Sequence, residues 1–175
     1  PASEQTYQIM AQARALSHSL SDGKAEVHAQ FAVNLAPCSC GCLFCSFASV
    51  NNIFKENTRI TLDEAVRAAL QFEIDGANAI FIMATAHFPI KDYLEIATAI
   101  RGNLKKTTTM IANVGDQNIS VAQKLVSTGF DGVYHAVRLR EGIDTNIDPQ
   151  KRLNSIATFR DAGLCVGTCV EPIGP

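Results

Sequence analysis

Four cysteines fall within eight residues, Cys38, Cys40, Cys42 and Cys45, in the stretch CSCGCLFC. Cys38, Cys42 and Cys45 have the spacing C-x3-C-x2-C. Three thiolates from one short loop can each take one iron of a cubane, whereas a typical [4Fe–4S] site uses four cysteines. With three, one iron keeps an open position at which a substrate or cosubstrate can bind. Gly41 lets such a loop wrap tightly. Cys40 falls off this spacing and reads as a bystander. A structural zinc site would take Cys40 as its fourth thiolate, but CxCxCxxC is tight around one tetrahedral ion, and such sites usually draw on two separated pairs. A set of buried or redox thiols is the third alternative. The remaining cysteines, Cys165 and Cys169, lie far along the chain. A disulfide framework would instead spread its cysteines through a small secreted chain.

The elements that must position this loop follow from periodicity. The first twenty residues read as a helix, with Ile9, Met10, Ala13 and Leu16 at helical spacing. Phe31 to Leu35 (FAVNL) reads as a strand that runs directly into the cysteines. Thr61 to Glu64 is a capping box opening a helix with Leu62, Val66, Ala69 and Leu70 on its apolar face. Asn78 to Ala84 (NAIFIMA) is an apolar run suited to a strand buried on both faces. A helix from Ile90 to Ile100, a strand from Thr107 to Asn113, and a helix from Ser120 to Ser127 follow. Asp131 to Val137 is the fourth strand. Asp148 and Pro149 form an N-cap and N1 pair for a helix through Asp161, and Leu164 to Val170 is the fifth strand. Strands alternating with helices imply parallel βαβ units, hence an α/β fold. The pattern does not separate an open sheet from a barrel.

Apolar residues make up 47% of the 175 and charged residues 18%, which describes a globular chain. No apolar run approaches the length of a membrane span, and the opening residues lack the charged start and apolar core of a secretory signal. A net charge of −2 and the absence of tryptophan disfavour a nucleic-acid partner. Reduced thiols and no secretory signal point to the cytoplasm. The expected organisation is an N-terminal helical lead-in over 1–30 and an α/β unit over 31–175. Because that unit stops after a strand with no covering helix, the chain reads as part of a longer protein.

The cysteine triad after strand one, with aromatic Phe44 before the last cysteine, resembles the radical S-adenosylmethionine (SAM) superfamily. The resemblance implies a partial parallel (β/α) barrel, a [4Fe–4S] cluster held by Cys38, Cys42 and Cys45, and SAM chelating the fourth iron. It implies reductive cleavage of SAM to a 5′-deoxyadenosyl radical that abstracts hydrogen from a small-molecule substrate, with an external one-electron donor of the flavodoxin or ferredoxin type. Phe44 would shield the cluster.

Within the superfamily the chain is similar to the biotin synthase group, which includes methylornithine synthase and the [FeFe]-hydrogenase maturase. The run from Gly76 to Pro89 is similar to that group's second strand and following loop. The resemblance therefore implies that backbone atoms of Ala84, Thr85 and Ala86 receive the amino group of SAM. His87 beside them reads as a surface loop histidine. Asn113 ends strand three on the face of Thr107, Thr109 and Ile111, at the barrel mouth or capping the turn before Gly115. Tyr134, Ala136 and Arg138 share a face, and Arg140 joins them if the chain stays extended. Either arginine suits the SAM carboxylate, unless it simply pairs with Glu141 at the surface. His135 points toward the helices as a satisfied core histidine. VEPIGP resembles the fifth-strand region near the adenine, with Val170 or Ile173 against the base and Glu171 on ribose, adenine or substrate.

The chain departs from biotin synthase where that enzyme binds its second cluster. The corresponding positions fall near Ile82, Thr109 and Gly167, and none is a cysteine. Cys165 and Cys169 are too far apart along a strand to clamp one small cluster, and read as packed thiols. Sulfur insertion is therefore not expected, and the reaction subclass stays open. The rival reading is an iron–sulfur or zinc-binding βα module in electron transfer or assembly, without SAM. A metal-free aldolase-like barrel would want a lysine on an inward strand position, and the predicted strands have none.

Overall fold

The computed structural model describes residues 3–35 and 37–168. Helix α1 (Glu4–Leu20) is capped by the Ser3 hydroxyl and buries none of its residues. The remaining elements alternate: β1 (His28–Ala32), a 3-10 turn (Ser49–Asn51), α2 (Leu62–Ile74), β2 (Ala79–Met83), α3 (Ile90–Asn103), β3 (Thr109–Asn113), α4 (Ile119–Thr128), β4 (Gly132–Tyr134), α5 (Pro149–Asp161) and β5 (Cys165–Gly167).

The five strands are parallel and hydrogen-bonded in chain order. Right-handed crossovers that always advance to the next strand keep α2 to α5 on one side. This resolves what periodicity left open, since a doubly wound sheet reverses its order and a barrel wall does not. Register assigns the two faces. Ile80 and Ile82 pair beside Met110 and Ala112, and Val133 follows. All five are fully buried, packed with Tyr93, Ile96, Leu125 and Phe159 of the helices. The Tyr93 hydroxyl donates to the Ile82 carbonyl at 2.8 Å, satisfying the one polar group that this ring brings into the core. The opposite face carries Phe81, Thr109, Ile111, Tyr134, Cys165 and Gly167, which line a cavity of about 310 Å³.

Local signals place the helix ends. Thr61 and Glu64 form the reciprocal capping box, Asp148 caps α5 with Pro149 inside its first turn, and Gly129 ends α4 in the left-handed region, at φ 98.

Four expectations need correction. β1 lies three residues earlier than FAVNL, because the Asn78 side chain accepts from Val27 N–H and the Val27 carbonyl accepts from Asn78 N–H, which fixes where β1 meets β2. Ile82 faces the helices, so the residues β2 presents to the open face are Ala79, Phe81 and Met83, none of them cysteine. Cys165 is exposed, because among the described residues no helix covers the open face. The chain also does not stay extended to Arg140. β4 ends at Tyr134, and Arg140 turns at φ 64. Cys169, Val170, Glu171 and Ile173 lie outside the described residues.

Candidate functional site

The loops that leave the carboxyl ends of β1 to β4 converge on the cysteines. The β1 loop is zipped at its base. Leu35 N–H donates to the Thr58 carbonyl, Ile60 N–H donates to the Val33 carbonyl, and Asn34 and Arg59 form an antiparallel bridge. Further out, Cys38 N–H donates to the Phe47 carbonyl and Ser49 N–H donates to that of Cys38. The Asn51 carboxamide donates to the carbonyls of Cys42, Leu43 and Cys45 at 3.2, 3.2 and 2.8 Å. One side chain thus ties the turn that spaces two of the thiols.

The loop after β4 clasps this one from the other side. Leu43 N–H donates to the Asp144 carbonyl, and Asn146 N–H donates to that of Cys40 at 2.7 Å. Gly41 sits between them in the left-handed region at φ 61, and a Cβ there would run into the Asn146 carboxamide. Glycine is required twice over, by conformation and by space.

Cys40 and Cys42 are buried and Cys38 and Cys45 half-buried. All four pack in one small apolar cluster with Ala48, Ile147 and Ala86. The Cys38 thiol is brought down to about 5, chiefly because the Cys40 thiol donates to it. Burial opposes the shift, and the N–H groups of Cys40 and Ala86 and the His87 ring reinforce it. Cys40 moves the opposite way, first because its proton is held in that bond and then because it is buried. The pair therefore shares one proton, carried by Cys40. Burial is the chief cause raising Cys42, and the Cys45 charge adds to it. Soft sulfur donors from one short loop, kept dry by Ala48 and Ile147, match the ligand chemistry of an iron–sulfur cluster.

Other predicted residues gather at the same edge. Phe44 lies under the Arg138 guanidinium, which is 5.7 Å from the ring centroid. Arg138 stands 3.9 Å from the Glu141 carboxylate. That carboxylate is buried, not solvated, and chiefly accepts from Arg138 N–H and the Thr145 hydroxyl. Arg140 is exposed and grips Asp144 with two bonds at 2.7 and 2.9 Å, so it does not join Arg138. Asn113 shares the open face with Thr109 and Ile111, as parity predicts, and its carbonyl accepts from Ala84 N–H. Thr85 is clamped by Asn34: its hydroxyl accepts from the Asn34 side chain at 2.7 Å and its N–H donates back at 2.9 Å. The Thr85 carbonyl accepts from Phe88 N–H. The Ala86 backbone packs directly against Gly115.

Sequence reasoning passed over three features of this edge. His87 is exposed as predicted, yet a ring nitrogen lies within 4.8 Å of both the Cys38 and Cys40 sulfurs. Asn34 is buried and welds the β1 loop to the β2 loop. His135 is buried as predicted, but it belongs to a charged network. It contacts Asp116 at 2.8 Å, Arg152 at 3.3 Å, and packs edge-on to Phe159. Burial, the largest influence, holds the His135 ring below its ordinary range, against the Asp116 hydrogen bond. Burial alone would raise Asp116, but His135 and Arg152 outweigh it and bring that carboxyl down. Neighbouring elements in the sequence gave no sign of these pairings, which join residues from different loops.

Three solved structures, two of HydG and one of PylB, share the fold. One is HydG, a maturase of the [FeFe]-hydrogenase, with TM-score 0.77 and 17% identity over 96% of this chain and 40% of that one. A second is HydG from Carboxydothermus hydrogenoformans, with TM-score 0.76 and 21% identity over 96% and 42%. The third is methylornithine synthase, PylB, with TM-score 0.79 and 13% identity over 97% and 52%. The chain thus spans 40–52% of the length of these relatives and shares their partial parallel barrel. No protein-family model and no curated protein matches the sequence.

Proposed function

We propose that this chain is the core of a radical SAM enzyme, in which Cys38, Cys42 and Cys45 hold a [4Fe–4S] cluster and SAM is the cosubstrate. The observation that carries the reading is positional. The three thiols leave the carboxyl end of the first strand of a singly wound parallel sheet, where such folds build their sites, and Ala86 of the loop after β2 and Ile147 of the loop after β4 pack on them. The shared fold supports it, because HydG and PylB are representatives of the two relatives that the sequence resemblance names beside biotin synthase.

The cluster, when bound, supplies the one-electron reduction of SAM that yields a 5′-deoxyadenosyl radical. The protein's own residues bind, orient and exclude water. Ile147 packs on the thiols, and Phe44, in the same loop, is assigned to shield the cluster. Arg138, already carried toward Phe44, offers a planar fork to the carboxylate of SAM. Main-chain oxygens of Ala84, Thr85 and Ala86 serve its amino group, and the Asn34 clamp fixes Thr85 for that task. Asn113 lines the mouth from β3, and Glu171 is assigned to ribose, adenine or substrate. Arg140 is set aside, because it is exposed and Asp144 already holds the Nε and Nη2 edge of its guanidinium. A flavodoxin or ferredoxin type donor supplies the electron, and the substrate is a small molecule. No cysteine other than Cys165 stands on the open face among the described residues, so biotin synthase-type sulfur insertion is not assigned.

Anaerobic reconstitution with iron and sulfide, followed by SAM, tests this. The expected result is about four irons per chain, a change in the reduced EPR signal when SAM is added, loss of both in Cys42→Ala, and retention of both in Cys40→Ala. Matching behaviour of the two variants would overturn the ligand assignment.

A further inference from the structure

The triad leaves Cys40 unused, and Cys40 is not isolated. Its sulfur, that of Cys38 and a ring nitrogen of His87 lie within 4.8 Å of one another. These three donors come from two loops, Cys38 and Cys40 from the loop after β1 and His87 from the loop after β2. That removes the objection to zinc based on the tight CxCxCxxC stretch, which concerned four ligands from one loop. In a tetrahedral site with sulfur at about 2.3 Å and nitrogen at about 2.0 Å, ligand atoms stand roughly 3.5–3.8 Å apart. Gathering this trio around one ion therefore asks for about an ångström of side-chain adjustment. The ligands of a cubane, by contrast, sit on separate irons and must stand further apart than those of one ion.

The surroundings agree. His87 lines two cavities, of about 160 and 250 Å³. Cys40 lines the first and Cys38 the second, so an ion has a route in and a place for a water ligand. The Ser39 hydroxyl lies 3.3 Å from His87 Nδ1 and orients the ring, the kind of outer contact that ligating imidazoles use.

We propose that Cys38, Cys40 and His87 form a three-ligand site for a single soft divalent cation of the zinc type. Cys38 belongs to both sets. On the reading of Cys38, Cys42 and Cys45 as cluster ligands, the two occupancies exclude one another, and a bound divalent ion blocks cluster assembly by removing one corner. Binding is a ligand exchange without electron transfer: both cysteines ligate as thiolates, the single proton that the pair shares passes to solvent, and the imidazole binds neutral.

The test titrates Co(II) into the anaerobic, reduced, metal-free chain, followed by competition with Zn(II). The expected result is about one cobalt per chain, with thiolate charge-transfer and tetrahedral ligand-field bands that zinc abolishes. His87→Ala, at an exposed position that the fold does not need, is expected to weaken binding by at least about tenfold. Cys40→Ser is expected to do the same, His87→Cys to restore binding, and Cys42→Ser and Cys45→Ser to leave it within about threefold. Unchanged affinity in His87→Ala, or loss in Cys45→Ser alone, would overturn the site. In the second arm, one equivalent of zinc added before iron and sulfide is expected to lower iron uptake in the parent chain but not in His87→Ala. Equal uptake in both would overturn the exclusion. Failure of the cluster reading is separate, since it shows as missing iron uptake with no zinc present.

Discussion

The guanidinium of Arg138 lies over the ring of Phe44, 5.7 Å from its centroid, joining the turn after β4 to the cysteine loop. A cation stacked on an aromatic ring at a half-exposed site contributes about 0.5–1 kcal/mol, enough to pre-orient a side chain but too little to hold it against a carboxylate. Replacing Arg138 by lysine keeps the charge and removes the planar fork. Arg138→Lys is expected to weaken SAM binding about tenfold or more while iron content after reconstitution stays at the parent level. Equilibrium dialysis with labelled SAM, beside an iron assay, measures both.

Phe44 shows the complementary behaviour. The residue is 40% exposed, so trimming it costs the fold little. Phe44→Ala is expected to leave thermal stability within about 1 kcal/mol, the worth of the lost Arg138 contact, and to speed bleaching of the reconstituted chain in air, followed by its visible absorbance. Equal bleaching rates would remove Phe44 from its shielding role.

Gly41 is a position where conformation and space both exclude a side chain. A residue with a Cβ at positive φ costs about 1–2 kcal/mol, and the added methyl must displace the Asn146 carboxamide. Asn146 N–H is bonded to the Cys40 carbonyl, so the displacement travels into the thiol cluster. Gly41→Ala is expected to lower iron uptake. Asn146→Ala combined with Gly41→Ala is expected to recover part of it, because the steric component disappears and the backbone component remains. Iron per chain across the four variants of this cycle checks the split.

Asn34 and Thr85 are 51 residues apart and exchange two hydrogen bonds through one carboxamide. Asn34 is buried, so removing its amide leaves the Thr85 N–H unsatisfied in a dry setting, at a cost of about 1–3 kcal/mol. Asn34→Ala is expected to lower the urea midpoint accordingly. Asn34→Asp retains the acceptor for Thr85 N–H and is expected to fall between the two.

These residues also show what a sequence can disclose. The capping box of Thr61 and Glu64, the Asp148–Pro149 start of α5 and the faces of β3 are decided within a few residues, and the local pattern shows them. The cysteine triad is legible for the same reason. β1 is misplaced because its solvent-side residues His28 and Gln30 make HAQFA look unlike a buried strand, while its true register depends on Asn78, far along the chain. Arg140 is misdirected because the turn from Arg138 is set by the buried carboxylate of Glu141 accepting from Arg138 N–H, and no spacing rule contains that bond. Cys165 was expected to pack, but among the described residues the sheet is covered on one face only. The trio of Cys38, Cys40 and His87 depends on two loops meeting, which periodicity does not address.

The network of Asp116, His135 and Arg152 gives the fold an acid sensitivity of known sign. His135 is 1% exposed and is faced by Asp116 from the β3 loop, Arg152 from α5 and Arg138 from its own segment. Arg152 carries a buried Nε with no hydrogen bond, although Asp116 Oδ1 stands 3.2 Å away in an ionic contact. Burial outweighs the Asp116 bond and holds the folded His135 below its ordinary 6.5. The unfolded chain therefore takes up a proton near pH 6.5 that the folded chain refuses until lower pH, and stability falls as pH drops through that interval. The steepest slope one such group gives is about 1.4 kcal/mol per pH unit. Asp116, also lowered on folding, adds its loss further down, as pH falls below its ordinary 3.8. Urea midpoints of the chain measured between pH 8 and 5 are expected to decline throughout, because the lowered Cys38 thiol loses stability over that whole range, and to decline more steeply below about 6.5, where His135 adds its own loss. His135→Gln keeps a donor for Asp116 and removes the titration, so its midpoints are expected to start lower and to run flatter across the same interval. An unchanged slope in that variant would assign the decline to another group.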